Sequence, residues 1–240
     1  MFAGKTYWII GASEGLGRAL AQELDAAGAQ LVLSARSADR LHALAEELGQ
    51  GQVIPMDVTN KASVAQAVAE AGPVDGVIYS VGAYEPLKAQ DWQPDTVEMI
   101  CETNFMGAMR VMGHVAPVFA RRDHGHLVLI GSLAGFTGLP GATGYGSSKA
   151  ALMHAAENLH ADLRKTNVKV QLVNPGFIKT RLTEKNDFNM PFIVTPEKAA
   201  SLTIAAMRRK RFQTSFPTVF SWLFRAGRFL PRRWFLSLMS

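Results

Sequence analysis

The chain has 240 residues, of which 48% are hydrophobic and 19% are charged. This length and composition suit one large globular domain and exclude an intrinsically disordered or fibrous chain. Its single cysteine, Cys101, excludes an internal disulfide and predicts a reducing compartment. The six histidines and this cysteine lack metal-ligand spacing, so we expect no metal site.

The net charge of +5 is unevenly distributed along the chain. Residues 198–240 contain nine basic and no acidic residues, whereas residues 1–197 carry a net charge of −4. A basic surface suits an anionic membrane or nucleic acid, and the acidic body argues against nucleic acid. No apolar run reaches the ~18 residues of a membrane span, and no secretion-signal core precedes the first strand. We therefore expect a cytoplasmic protein, with peripheral association on the inner face of a membrane as a further expectation.

Short apolar runs that suit buried parallel strands alternate with helical patterns over the first 180 residues. The predicted strands are Thr6–Ile10, Gln30–Ser34, 52–56, Gly76–Tyr79, 126–130 and 169–173. The predicted helices are 16–27, 40–48, 95–121 (dividing near Asn104) and 143–165. This alternation predicts an α/β fold with a Rossmann-type, doubly wound parallel sheet, which binds ligands at the carboxyl ends of its strands.

No linker or internal repeat divides the chain. We predict one Rossmann-fold dinucleotide-binding and catalytic domain over residues 1–205, with a substrate loop at residues 181–194. Residues 206–240 form a basic, aromatic-rich, amphipathic C-terminal helical extension in this interpretation.

A glycine-rich segment, Gly11-Ala12-Ser13-Glu14-Gly15-Leu16-Gly17, follows the first predicted strand and opens a helix. Gly11 permits a tight turn, Gly15 lets the backbone approach a pyrophosphate, and Gly17 allows close contact between helix and strand. The N-terminus of the helix then offers free N–H groups to the phosphates. In this context the segment predicts a dinucleotide site.

The residues that follow the second and third predicted strands indicate which nucleotide binds. Arg36 lies where NAD-binding folds often place a carboxylate, and a guanidinium there suits the 2′-phosphate of NADP(H). We therefore predict NADP(H) in preference to NAD(H), the alternative being an ordinary solvated charge. Asp57 is positioned to accept from the adenine amino group or to cap the following helix. Ser80 and Gly82 bring the next loop near the cofactor.

Tyr145 and Lys149 are four residues apart on a predicted helix and therefore share one face. An ammonium group beside a phenol favours the phenolate and is expected to lower the pKa of Tyr145. A tyrosine tuned in this way exchanges a proton with a carbonyl or alcohol oxygen. Ser132, at the end of the fifth predicted strand, is placed to hold that oxygen against the phenol.

The order and spacing of these residues resemble the single-domain, NADP-preferring branch of the short-chain dehydrogenases/reductases over roughly residues 5–205. The motifs that carry the resemblance are Gly11–Gly17, Asp57, Asn104, Ser132, Tyr145, Lys149 and Pro175-Gly176-Phe177-Ile178-Lys179-Thr180. Two positions depart from the pattern. The residue before the first glycine is Ile10, and the Asn-Asn-Ala-Gly stretch reads Tyr79-Ser80-Val81-Gly82.

The resemblance implies a role for each matched residue. Tyr145 would be the acid/base, Ser132 would orient the carbonyl, and Lys149 would also bind the nicotinamide ribose. Asn104 would anchor a proton relay through water to Lys149. The full set of cofactor contacts that we expect is Gly11, Ser13, Gly15, Leu16, Gly17, Arg36, Asp57, Val58, Ser80, Gly82, Tyr145, Lys149, Pro175, Ile178 and Thr180.

The substrate loop and the extension are both rich in large apolar residues. The expected substrate contacts are Phe177, just before the loop, and Phe188, Met190 and Phe192 within it. The loop acts as a mobile lid or stays folded on the core. Eight aromatic residues lie between Phe212 and Phe235. Helical spacing places Ser221, Arg225, Arg228 and Arg232 on one face, and Phe216, Val219, Phe220, Leu223 and Leu230 on the other, up to a break at Pro231. The extension covers the protein's own surface, a partner subunit or an anionic membrane.

The extension also loosely resembles that of reductases acting on lipid-like ketones, the ketosphinganine type included. The leading expectation is an NADPH-dependent carbonyl reductase, reversible as an alcohol dehydrogenase, for an apolar and lipid-like ketone. A β-ketoacyl thioester (acyl-carrier) reductase is the alternative enzyme, and an NADP-binding scaffold or redox sensor is the alternative without turnover. The resemblance further implies a homodimer or homotetramer assembled through the two long helices.

Overall fold

A computed structural model describes residues 1–227, 229, 231 and 233–234. The strands are β1 (Thr6–Ile10), β2 (Gln30–Ser34), β3 (Gln52–Val53), β4 (Gly76–Tyr79), β5 (Gly125–Ile130), β6 (Val168–Pro175) and β7 (Gln213–Phe216). The helices are α1 (Gly15–Ala26), α2 (Ala38–Leu48), α3 (Lys61–Ala71), α4 (Pro94–Cys101), α5 (Gly107–Arg121), α6 (Thr143–Asp162), α7 (Pro196–Met207) and α8 (Thr218–Ala226).

The strands form one sheet in the order β3-β2-β1-β4-β5-β6-β7, and every neighbouring pair is parallel. This confirms the predicted α/β fold. Helices α3, α5 and α6 contribute to the core on one face of the sheet, and α1, α2 and α7 contribute to the core on the other. The strand order reverses direction between β1 and β4, where ligands bind in this architecture.

The sheet contains a strand that the sequence patterns do not predict. β7 pairs with β6 and extends the sheet beyond the last predicted strand, with Phe216 buried. Its sequence, Gln213-Thr214-Ser215-Phe216, is mostly polar, so the hydrophobic pattern of a buried strand is missing there. β7 lies at the sheet edge, where one side of the strand needs no partner.

The long helix predicted over residues 95–121 is divided near Asn104, as expected. A π-helical stretch, Glu102–Met106, separates α4 from α5, and Asn104 lies within it. Such stretches often mark functional positions, because the wider turn redirects side chains and frees backbone groups. Tyr79, at the end of β4, donates a hydrogen bond to the carbonyl oxygen of Thr103 at 2.6 Å and ties the sheet to this stretch.

The predicted faces of the C-terminal helix are wrong for α8. Ser221, assigned to the face with the arginines, is only 3% exposed, and Val219, assigned to the apolar face, is 79% exposed. The inward residues are Phe220, Ser221 and Phe224, because β7 turns the chain so that this side meets the body. The helix ends at Ala226, ahead of Pro231. Arg228, Leu230, Arg232 and Phe235 lie outside the described residues.

Candidate active site

The glycine-rich loop joins β1 to α1 at the carboxyl edge of the sheet. Gly11 has a φ of +93°, and a Cβ atom at Gly17 would lie 1.9 Å from the carbonyl oxygen of Gly11. These glycines let the helix start directly against the loop. The side chain of Glu14 does not cap the helix, so the N–H groups of the first turn are left for an anionic ligand.

A cleft of about 820 Å³ opens at this edge and collects every predicted cofactor contact. The residues that line it include Gly11, Ser13, Gly15, Leu16, Gly17, Arg36, Asp57, Val58, Ser80, Gly82, Tyr145, Lys149, Pro175, Ile178 and Thr180. Tyr145 and Lys149 lie on α6, and the others lie at or after the carboxyl ends of β1, β2, β3, β4 and β6, which meet at one edge because the strands are parallel. The sequence therefore identified the wall of one continuous cleft.

Three guanidinium groups line the end of the cleft near α2. Arg36 is exposed there, whereas Arg40 and Arg181 both pair with the Glu14 carboxylate, at 2.7 Å and 2.5 Å. Glu14 thus joins α2 to the start of the substrate loop across the glycine-rich segment. Glu14, Arg40 and Arg181 were not predicted to interact, because ion pairs between distant segments leave no local sequence pattern.

Asp57 lies in the cleft wall and does not cap α3. Its Oδ1 accepts hydrogen bonds from the backbone N–H and the hydroxyl of Thr59, at 2.9 Å and 2.8 Å. The cap of α3 is Asn60, whose side chain accepts from the N–H groups of Ala62 and Ser63. Capping by Asp57 is therefore wrong, and its predicted role toward the adenine stays a prediction.

Asn104 is fully buried and holds the loop that follows β4. Its Oδ1 accepts from the Ala83 N–H at 2.6 Å, and its Nδ2 donates to the Ala83 carbonyl and to Ser148 Oγ, each at 2.9 Å. The direct partners of Asn104 are thus one backbone segment and one serine of α6. The relay through water to Lys149 that the resemblance implies stays a prediction.

Ser132, Tyr145 and Lys149 lie together at the inner end of the cleft. The Lys149 Nζ atom lies 5.9 Å from the centre of the Tyr145 ring and donates a hydrogen bond to the Ile130 carbonyl at 3.0 Å. A hydrogen bond links the Tyr145 and Ser132 side chains. The predicted i, i+4 pairing therefore exists, with Ser132 on the same side of the phenol.

The electrostatics of this pair differ from the expectation. Burial raises the pKa of Tyr145 above its usual value, and the hydrogen bond from Ser132 offsets this only in part. Burial also lowers the pKa of Lys149 to about 8. The prediction that the pKa of Tyr145 is lowered is therefore wrong for the protein without cofactor. Removal of the phenol from water raises this pKa by more than the Lys149 ammonium, which donates to the Ile130 carbonyl, can lower it.

A second cavity, of about 900 Å³, adjoins the first. Five residues line both spaces, so Tyr145 lies at their junction: Ser132, Tyr145, Gly176, Leu182 and Thr183. One wall is apolar and consists of Leu133, Leu139, Phe177, Phe188, Phe220, Leu223 and Phe224. The lining also contains a polar set, which we call the polar rim: Lys88, Asp91, Lys185, Asn186, Asp187 and Asn189. The space suits a molecule with an apolar body and a polar end.

The predicted substrate contacts divide into two groups. Phe177 and Phe188 line this cavity, with their ring centres 5.9 Å apart. Met190 and Phe192 are not part of its wall: Met190 accepts a hydrogen bond from Asn186, and Phe192 is 62% exposed. The loop turns between these residues, and an apolar sequence run does not show which side chains face inward.

Two further elements of the cavity wall were not predicted. Tyr84 packs edge-on against Tyr145 at 5.1 Å and donates a hydrogen bond to Asn186 at 2.7 Å. Burial and the neighbouring Tyr145 raise the pKa of Tyr84 to about 12. Its position two residues after Gly82 is the signal that marks it. The aromatic residues of α8 reach the cavity only through the path of β7.

Comparison with known proteins agrees with this architecture. The sequence pattern of the short chain dehydrogenase family matches residues 5–190. The chain belongs to the short-chain dehydrogenases. It is 36% identical over 221 residues to an uncharacterised oxidoreductase of Myxococcus xanthus, covering 89% of this chain and 87% of the relative. It is 30% identical to an uncharacterised oxidoreductase of Staphylococcus haemolyticus, with 85% and 91% covered.

Solved structures of short-chain dehydrogenases share the fold. One from Sphingobium yanoikuyae, in complex with NADPH, has a TM-score of 0.84 and 25% identity over 97% of this chain and 95% of that one. One from Burkholderia cenocepacia, in complex with NADP, has a TM-score of 0.88 and 21% identity over 100% and 99%. This dehydrogenase is therefore an NAD(P)-dependent oxidoreductase. The open first turn of α1 and the cleft beside Tyr145 fit such a nucleotide.

Proposed function

We propose that the protein is an NADPH-dependent carbonyl reductase for an apolar, lipid-like ketone, reversible as an alcohol dehydrogenase. The observation that carries the proposal is the position of Tyr145 and Ser132 in the walls of both the nucleotide cleft and the half-apolar cavity. A carbonyl that enters from the apolar side would meet the phenol and the nucleotide at one point.

Ser132, Tyr145 and Lys149 each have a task in that reaction. A bound nicotinamide supplies the hydride. The Ser132 hydroxyl donates a hydrogen bond that orients the carbonyl oxygen, and the Tyr145 hydroxyl gives its proton to that oxygen. Tyr145 holds this proton firmly in the protein alone, because burial raises its pKa. The charge on Lys149 stabilises the phenolate that remains after transfer.

The direct test of this chemistry is Tyr145→Phe. Removing the hydroxyl leaves the ring and the packing against Tyr84 in place. We expect a fall in kcat of about 10³-fold or more with methyl ketones, because general acid catalysis is lost. NADPH affinity, measured by fluorescence titration, should stay within a factor of about two. A variant that keeps its rate would refute the proposed role.

The preference for NADPH is supported by the cluster of Arg36, Arg40 and Arg181 at the α2 end of the cleft. A 2′-phosphate is a dianion, and guanidinium groups bind it through paired, charged hydrogen bonds. We expect Arg36→Ala to raise the KM for NADPH about tenfold or more and to leave the KM for NADH unchanged. Equal effects on both cofactors would contradict the preference.

The apolar wall of the second cavity supports a hydrophobic substrate. We expect kcat/KM to rise with chain length over a series of methyl ketones from butanone to methyl undecyl ketone, because each buried CH₂ contributes about 0.8 kcal/mol. The assay is the decrease in NADPH absorbance. If no ketone of the series is reduced at the expense of NADPH, the proposed substrate class is wrong.

A β-ketoacyl thioester is the alternative substrate. A candidate β-ketoacyl-ACP reductase of known structure shares 26% identity and a TM-score of 0.80, covering 90% of this chain and 97% of that one. The polar rim also carries Lys88 and Lys185. Turnover of acetoacetyl-CoA in preference to every methyl ketone would favour this alternative. The non-enzymatic scaffold has no comparable support, since the family is one of oxidoreductases.

Assembly as a homodimer or homotetramer through the long helices is also part of the proposal. Met99 of α4 and Val118 of α5 are large apolar side chains with 45% and 44% of their surface exposed. Residues of this kind are favoured in subunit interfaces. Light scattering coupled to size exclusion measures the subunit number, and a monomer at micromolar concentration would overturn this part.

A further inference from the structure

Helix α8 is apolar on two opposite sides. Its inner side contributes Phe220, Leu223 and Phe224 to the wall of the substrate cavity. Its outer side exposes Val219 at 79% and Trp222 at 63% to solvent. A helix that only covered its own protein would carry polar residues on the outer side. The outer side therefore needs an apolar partner.

The tip of the substrate loop continues this apolar surface. Phe192 is 62% exposed and Phe188 is 50% exposed. The Phe192 ring lies 5.6 Å from Phe220 of α8, and the Phe188 ring lies 5.9 Å from Phe177, which itself contacts Phe220. Beyond the helix, Phe229 is 91% exposed. We call Phe188, Phe192, Val219, Trp222 and Phe229 the docking face.

The docking face lies beside the substrate cavity. Phe188 belongs to both, and Phe220 and Leu223 separate the outer residues of α8 from the space next to Tyr145 by the width of one helix. An apolar molecule that passes between the loop tip and α8 would thus reach the cavity along aromatic side chains. Contiguous exposed aromatic surface of this kind marks an interaction site.

The charge of the extension indicates which partner fits. From α8 onward, residues 218–240 carry four basic and no acidic residues, and residues 181–194 of the loop are neutral overall, with two basic and two acidic residues. The basic residues at 208–211 precede β7 at the opposite edge of the sheet and are not part of this charge. A second copy of the chain, docked through the same face, would bring two positively charged C-terminal segments together, which like-charge repulsion opposes. An anionic lipid surface supplies both the apolar phase and the opposite charge.

We propose that α8 and the tip of the substrate loop dock on an anionic lipid surface, from which the apolar ketone enters the cavity. No helix within the described part of the chain is long and apolar enough to span a bilayer, so this contact is peripheral. Trp222 and the phenylalanines would occupy the interface, where aromatic side chains are favoured. Docking needs no turnover, whereas delivery of the ketone rests on the proposed function.

The docking test uses the full chain and vesicles of phosphatidylcholine with about 30% phosphatidylglycerol, compared with pure phosphatidylcholine. We expect the protein to sediment with the anionic vesicles and to stay in the supernatant with the neutral ones. The double variant Val219→Ser, Trp222→Ser should lose about tenfold or more of the partition coefficient. Phe229→Ser tests the docking face beyond the helix and should also weaken recovery.

The matched control is Val118→Ser. Val118 is 44% exposed near the end of α5, toward the amino ends of the strands, and so lies away from α8. Because Val118 also belongs to the proposed subunit contact, light scattering must first show the wild-type subunit number for this variant, which should then sediment like the wild type. Equal recovery of wild type and double variant would overturn the proposal, as would wild type that stays in the supernatant. A dimer that the double variant converts to monomer, without vesicle binding, would assign the docking face to a second copy.

The delivery test separates this proposal from the proposed function. With NADPH, the double variant should keep the wild-type rate on water-soluble butanone and lose about tenfold on methyl undecyl ketone held in anionic vesicles. Equal rates on the vesicle-borne ketone would overturn delivery. Vesicle binding without any NADPH oxidation would overturn the proposed function and leave docking intact, because sedimentation is measured without cofactor or ketone.

Discussion

Lys149 holds a positive charge in a site that is only 3% exposed, and that charge should cost folding stability. Burial lowers its pKa from the ordinary 10.5 to about 8. A base whose pKa is lower in the folded protein binds fewer protons folded than unfolded, so its folding penalty is fully present below pH ~8 and disappears above pH ~10.5. The shift corresponds to about 3 kcal/mol at pH 7.

Lys149→Met removes the charge and keeps much of the side-chain volume. It also removes the hydrogen bond to the Ile130 carbonyl, which costs about 1 kcal/mol. The variant should therefore be more stable than wild type by about 2 kcal/mol at pH 7. Because the wild type regains stability as Lys149 loses its proton, this difference should fall by about 2 kcal/mol between pH 7 and about pH 9.5.

Urea unfolding followed by circular dichroism measures the difference, at both pH values and without cofactor. Exposed Lys165→Met is the control and should show no pH-dependent gain. NADPH oxidation by Lys149→Met should fall by about 10²-fold or more, since the phenolate then has no cation beside it. A variant that is less stable than wild type at pH 7, or a gain that does not change with pH, would refute the reasoning.

Three further predictions follow from the same geometry. His126 has its pKa lowered to about 3 by burial between Tyr7 and Gln171, so only the unfolded chain takes up its proton below pH ~6.5. The wild type should lose about 2 kcal/mol more unfolding free energy than His126→Gln between pH 7 and pH 5, and exposed His154→Gln should behave like wild type. Gly17→Ala should weaken NADPH binding about tenfold or more, because its Cβ atom would lie 1.9 Å from the Gly11 carbonyl oxygen. In the same fluorescence titration, Gly113→Ala should bind NADPH like the wild type, because its Cβ atom would lie in open space. Phe220→Ala should lower kcat/KM for methyl undecyl ketone about tenfold in vesicle-free solution and leave kcat/KM for butanone unchanged, because Phe220 lines the part of the cavity that the long chain would occupy. Equal losses of kcat/KM for both ketones would contradict this position of Phe220.

The nucleotide cleft was predictable because its residues occupy local patterns. A strand-turn-helix segment contains Gly11, Gly15 and Gly17, and this local context indicates their function. Arg36 and Ser132 each come just after a strand. Once the strands are read as parallel, topology alone brings these positions to one edge of the sheet. The i, i+4 spacing of Tyr145 and Lys149 fixed their common side in the same way.

The substrate cavity was only partly predictable, because its wall comes from segments that meet only in the folded chain. Tyr84 and Phe220 are 136 residues apart in sequence and line the same space. β7 has too polar a sequence to be recognised, yet it determines which side of α8 faces inward. The faces assigned to Ser221 and Val219 were therefore wrong, although the helix itself was expected.

The sequence by itself determined the parallel sheet, the residues that line the cleft and the pairing of Tyr145 with Lys149, since each depends on short-range order along the chain. Only the tertiary structure decided the protonation energetics, because the pKa values of Tyr145 and Lys149 depend on how completely each side chain leaves water. Tertiary structure likewise decided that α8 has one side in the cavity wall and the other in solvent. A helical pattern gives the angles between side chains, and only packing gives their direction.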